Sequence, residues 1–432
     1  MLAVMTEAVQ TGQPAAWWRQ GWPFRIWQLA LLLFIVAAAT GALLRFGLLY
    51  GLPGGLLFTD VRHAHSHLMF FGWATPLLMM LLLRQQSGPS LRSPRLLLSV
   101  VLLLAAASFV PFLLSGYRLL PLLGRELPVS MIVSGLNGLA WYAFAAVYLL
   151  ADRRQPASTS RSFSRMSVWL LLLSSVGIVA LAFAGMRGAG STLINSLAYF
   201  FLELFAEGWF GVALLGIAFR HISGTQRHES ARVGLWLLAG GLSVRTAADV
   251  FVANGLDQLQ PAVLGASAVA GFGLLVCLRP LWRVLAAQRL NGWHLALGLL
   301  TLKGIFDLLL AHPLLHQWSD AAGLRVFYLH AYLLGAISIG LVTAARSELG
   351  PRAFRLPWLF SAAVLLMIGA LLPVSGLWPA AWSGRWTMVT AAWTSVGPVL
   401  LALLALLLSF RTVRRKPLPR QQAGTASQEA GR

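Results

Sequence analysis

Arg62-His63-Ala64-His65-Ser66-His67-Leu68-Met69-Phe70-Phe71-Gly72-Trp73 opens an apolar run that continues through Leu83 and holds three of the chain's nine histidines. An imidazole inside hydrocarbon is costly without a partner, so intramembrane histidines point to function. Imidazole is also the commonest metal ligand among side chains. On a helix His63 and His67 share a face, and His65 points about 160° away from it. Three ligands to one ion are therefore not expected from this stretch. A single axial ligand to a large flat group, as in haem proteins, fits the spacing better. The competing reading is that the histidines cap the helix at the water interface.

Apolar runs of this kind recur along all 432 residues. The composition is 58% hydrophobic and only 11% charged, against roughly a quarter charged in soluble domains. The chain is expected to be an all-α polytopic membrane protein with the lipid bilayer as its surroundings. Spans are expected near 26–50, 64–84, 95–115, 128–151, 167–186, 192–219, 232–254, 261–279, 293–312, 324–345, 357–378 and 388–410. Residues 1–25 then form a cytoplasmic segment, 26–410 the twelve-helix domain and 411–432 a disordered basic tail. No cleavable signal peptide is expected, because the polar start leads into a segment long enough to span. No convincing internal repeat is visible in the sequence.

The net charge of +20 comes mostly from arginine. In a membrane protein it reads first as a topology signal, and no nucleic-acid partner is expected. Both tails and every second loop are arginine-rich, so that one side holds 24 Lys and Arg and the other 7. The positive-inside rule then puts both termini in the cytoplasm of a bacterial cell, with the protein in its inner membrane. The single cysteine, Cys277, excludes a disulfide framework, iron–sulfur clusters and covalent c-type haem attachment.

Six charged residues fall inside the expected spans as i,i+4 pairs: Glu203 with Glu207, Arg245 with Asp249, and Lys303 with Asp307. The two mixed pairs are expected to be structural ion pairs between helices. The two glutamates are like-charged neighbours, so one is expected to carry a proton. That makes the group a candidate proton or charge site. His65 and His330 fall at similar depth in the outer part of the second and tenth spans and could face one another across one cofactor. His312 and His316 are candidates for contacting its propionates or a metal. His221, His228 and His294 are not expected to be ligands.

The chain resembles the large catalytic subunit of the haem-copper oxidases, most closely the nitric oxide reductase and cbb-type branch. That subunit also has twelve spans. Its second helix opens with Arg-x-x-His-Thr-Asn, and Arg62, His65 and His67 match the arginine, the haem ligand and the asparagine. Relatives with a His-Ala-His-x-x-x-x-Gly-Trp opening are also similar, through His65, His67, Gly72 and Trp73. On the tenth helix His330, followed by Gly335-Ala336, falls on the second low-spin haem ligand. On the sixth, Glu203-Leu204-Phe205-Ala206-Glu207-Gly208 is similar to His-Leu-Trp-Val-Glu-Gly. Departures are equally plain. Tyr328 stands where the high-spin haem ligand would be, Glu203 where a second-metal ligand would be, and Arg245 to Asp249 where adjacent metal-binding histidines would be. The chain is also similar to the copper- and haem-containing membrane proteins associated with nitric oxide responses.

The resemblance implies one haem b held by His65 and His330, with a second metal not expected. His63, His67, Tyr328 and Arg62 stand as further cofactor-binding candidates. Bis-histidine ligation suits electron transfer or redox sensing, with an electron-donor protein as partner, and not gas reduction. Two other readings stay open: a transporter whose midplane site is built from the six charged residues, and a reductase with Glu203 and Glu207 as carboxylate metal ligands.

Overall fold

The computed structural model describes residues 21–86, 94–122, 124–153, 155–224, 226–322, 324–376 and 378–410. The expected disordered tail and nearly all of the amino-terminal segment lie outside them. The protein is an all-α polytopic membrane protein, with twelve helices long and apolar enough to cross a bilayer among the described residues. They are α1 (Trp22–Tyr50), α2 (Phe58–Arg84), α3 (Pro94–Ser115), α4 (Val129–Asp152), α5 (Thr159–Met186), α6 (Ser191–Ser223), α7 (Glu229–Ala253), α8 (Asp257–Leu285), α9 (Gly292–Leu309), α10 (Arg325–Leu349), α11 (Pro357–Val374) and α12 (Arg385–Phe410). Two three-residue strands, β1 (Leu120–Leu122) and β2 (Arg125–Leu127), pair antiparallel between α3 and α4.

Helix starts differ from the hydropathy reading for local reasons. α1 begins at Trp22 and not at 26, because Gly21 turns the chain with φ 69° and Pro23 lies in the first turn. α5 begins at Thr159 and not near 167, because the Ser158 side chain accepts from the Arg161 backbone N–H. The polar first turns of α5 then find partners inside the bundle: Ser160 donates to the Gly216 carbonyl at 2.7 Å, and Ser164 to Gln85 at 3.2 Å.

Burial sorts the helices into two layers. In α2 and α6 78% of the apolar window is buried, and in α10 56%; in the others the share is 33–50%. α2, α6 and α10 therefore form a central trio, and the rest form a ring around it. The ring closes where α1 meets α12, with Gln28 donating to Ser409 at 2.9 Å.

Each central helix contains a π-helical stretch: Leu68–Ala74, Leu204–Gly211 and His330–Ile337. Each stretch carries a glycine against the preceding helix. A Cβ on Gly72 would press on Leu33 of α1, one on Gly208 on Leu170 of α5, and one on Gly335 on Leu299 of α9. The same contact thus recurs every four helices, a regularity of the central trio that the sequence did not display. π-Turns loosen backbone carbonyls, and buried carbonyls need donors. Tyr332 of α10 donates to the Ala206 carbonyl of α6 at 3.1 Å. Ser338 donates to the Leu333 carbonyl and accepts from Trp73 Nε1 of α2, both at 3.0 Å.

At one end a single carboxylate ties the trio together. Glu348 of α10 meets Arg84 of α2 at 3.3 Å, and Arg220 and His221 of α6 at 3.8 and 3.3 Å. The opposite end carries the α2 histidines.

Candidate functional site

The two ladders of side chains on α2 diverge as the helical spacing requires. His63 and His67 turn toward Tyr117, in the loop after α3. The His67 ring stacks on Phe112 with centroids 3.8 Å apart. Its Nε2 lies 3.2 Å from the Tyr117 hydroxyl and its Nδ1 3.4 Å from Ser134 Oγ. His63 meets Tyr117 edge-on, centroids 4.7 Å apart. Both nitrogens of His67 are therefore engaged by hydroxyls. The loop is pinned by an Asp60–Arg118 ion pair and by Ser130 donating to the Gly116 carbonyl at 2.6 Å. Gly116 has φ 57°, and a Cβ there would collide with the Asp60 carboxylate.

His65 points the other way, to α1. Its Nδ1 is 2.7 Å from the Ala37 carbonyl. Its ring lies flush on Gly41, where a Cβ would stand 2.7 Å from Cε1. His330 shows the same anchoring, with Nδ1 2.7 Å from the Val326 carbonyl of its own helix. A carbonyl at Nδ1 fixes the tautomer that leaves Nε2 with its lone pair, the usual arrangement of a metal-bound histidine. Neither Nε2 has a hydrogen-bond partner among the described residues. α2 and α10 run in the same direction, and the Trp73–Ser338 hydrogen bond joins them eight residues beyond His65 and His330 alike. The two rings thus lie at one level, and each is within electrostatic reach of the other and of Arg45 on α1. This donor set fits an axially ligated haem iron. Arg62 is exposed at the mouth of α2. His312 is exposed, and His316 is half-buried on a short helix, Pro313–Ala321.

The charged residues form a second cluster, where α6, α7, α9 and α10 meet. Arg245 Nη2 reaches across to Glu203 at 3.2 Å and Glu207 at 3.0 Å. Lys303 Nζ meets Glu207 at 3.0 Å and Asp307 at 2.5 Å. Tyr328 donates its hydroxyl to Glu207 Oε1 at 2.6 Å. The two glutamates, one of which is expected to carry a proton, are not a bare pair. Arg245 stands at both carboxylates and offsets their repulsion. Arg245 pairs across to α6, which makes it an ion pair between helices. Tyr328 belongs to this cluster, not to the histidines. Beside it lies a cavity of about one water's size, lined by Glu207, Lys303, Tyr332 and apolar side chains of α6, α7, α8 and α9.

Arg45, Tyr117, Ser134 and Glu348 escape a motif reading. Each is a lone polar residue that forms no recognisable spacing with another. Only His221, set aside as a ligand from sequence, was singled out among the residues that meet Glu348.

No protein-family model matches the chain, and none of the curated proteins matches it.

Proposed function

We propose that this is a membrane-embedded b-type haem protein in which His65 and His330 hold the iron of one haem, serving electron transfer or redox sensing. The observation that carries the reading is the matched pair of histidines. They come from two central helices, lie at one level, are each fixed through Nδ1 on a backbone carbonyl, and each keep Nε2 for a ligand. A haem held by two histidines supplies one reversible electron at a coordinatively closed iron. The chain's own part is to fix the tautomers, space the two helices and keep water away through the aromatic packing below.

The resemblance to the haem-copper oxidases agrees with this assignment at both ligands. At the positions where that family carries its gas-reducing centre, Tyr328, Glu203, Glu207 and Arg245 bind one another. This supports an electron carrier or sensor over a reductase. The arginine asymmetry supports a bacterial inner-membrane protein with both termini in the cytoplasm, the histidine end facing out and the Glu348 end facing in. An electron-donor protein would then approach the histidine end.

The test is the reduced-minus-oxidised absorption spectrum of the purified protein, with and without carbon monoxide. A sharp low-spin b-type signal indifferent to carbon monoxide is the expected result, lost in His65→Ala and in His330→Ala. Persistence of that signal in both variants would overturn the ligand assignment. A carbon-monoxide-sensitive species would return the reductase reading to the front.

A further inference from the structure

Arg45 is an arginine in a membrane span whose side chain has no hydrogen-bond or ion-pair partner among the described residues. Among the described residues other cations within the bundle are matched: Arg245 and Lys303 by carboxylates on α6 and α9, Arg161 by Asp152. A partly buried guanidinium left unmatched is costly, and structures keep one mainly where an anion comes to it.

Its place on α1 says which anion. Ala37, Gly41 and Arg45 are spaced i, i+4, i+8 and so form one stripe along the helix. Ala37 holds His65 Nδ1, and Gly41 lies under the same ring. Arg45 is the next member, about 6 Å nearer the end of the bundle. Both His65 and His330 feel its charge. Arg45 therefore continues the stripe of α1 that carries His65, one turn nearer the histidine end. Resting on the ligand assignment above, we propose that Arg45 binds a carboxylate of that bound group. The ligand class is then a flat macrocycle with acidic side arms, oriented with its carboxylate edge toward the histidine end of the bundle. A bare metal ion or a neutral macrocycle would leave the arginine unanswered.

The experiment titrates haem, and haem with both propionates methyl-esterified, into the full-length apoprotein in detergent. Wild type, Arg45→Gln and Arg45→Lys are compared by the low-spin spectrum, and midpoint potentials are read on the loaded proteins. A charge-assisted hydrogen bond to carboxylate predicts that Arg45→Gln weakens haem binding roughly ten- to hundredfold. Arg45→Lys falls between, since it keeps the charge and loses the fork. The potential falls in Arg45→Gln, because a positive charge that favours the reduced form is gone. With the ester, wild type and Arg45→Gln bind equally. Equal haem affinity in wild type and Arg45→Gln overturns the role of Arg45, as does an equal loss for haem and ester. Where the wild-type signal depends on His65 and His330, such a result leaves the ligand assignment standing. If wild type takes up no haem, that assignment fails and this inference falls with it.

Discussion

Lys303 donates to Glu207 at 3.0 Å and to Asp307 at 2.5 Å from a side chain only 5% exposed. Its stability role follows from what its removal leaves. Lys303→Met strands two carboxylates with one remaining cation, and breaking a buried pair from one side costs about 3–5 kcal/mol. Lys303→Met combined with Glu207→Gln removes both partners and is expected to cost less than the two single changes added together. Thermal unfolding in detergent across the four proteins measures this. A Lys303→Met variant as stable as wild type would show that water, not Glu207 and Asp307, satisfies the ammonium. Tyr328 shares the same fate: its hydroxyl is held by Glu207, so Tyr328→Phe should leave the haem spectrum unchanged if the imidazoles alone bind the iron.

At the scale of the helix, the π-helical stretches place both clusters. Such turns concentrate at functional sites because they re-aim side chains and release carbonyls. Here the Ala206 carbonyl is taken by Tyr332, and Gly211 has no Cβ because one would run into that hydroxyl. Tyr332→Phe should cost about 1–3 kcal/mol by leaving a buried carbonyl unpaired. Gly211→Ala should displace the same hydroxyl, so the two changes together should be markedly less than additive in a double-mutant cycle. The helices themselves were legible from hydropathy: all twelve stand where the apolar runs lie, with ends moved by Pro23 and by the Ser158 cap. The divergence of His65 from His63 and His67 was also legible, since it follows from 100° per residue. The pairing of Arg245 with Glu203 and Glu207 was not, because which helix lies across from α7 is a matter of tertiary packing. Nor was the recurring glycine contact, since the three π-helical stretches share little beyond one glycine each.

Seen as a whole, the molecule puts a different chemistry at each contact of its central trio. α2 with α10 carries the histidines and the Trp73–Ser338 bond. α10 with α6 carries Tyr328, Glu207 and the charges. α6 with α2 is hydrocarbon and aromatic, Phe70 and Phe71 meeting Phe205 with ring centroids 6.3 and 5.6 Å apart. The Glu348 knot closes all three at the far end. Glu348→Gln should loosen that end and lower the thermal midpoint while leaving the histidine spectrum in place, because the two sites lie at opposite ends of α10. Sidedness is checked on a Cys277→Ser background. Gly384→Cys should react with a membrane-impermeant maleimide added to intact cells, and Gln288→Cys only after permeabilisation. The reverse pattern would invert the topology.

The recurrence of one glycine contact every four helices has a consequence for assembly. The ends of α4 at Asp152 and of α8 at Leu285 both lie at the Glu348 end, and each precedes a short connection that can be cut. Cutting the gene at those two connections gives three pieces, each with one central helix and its three neighbours. Co-expressed, they should find each other in the membrane and purify together, because the contacts that join the three central helices are all made between side chains and carbonyls of separate pieces.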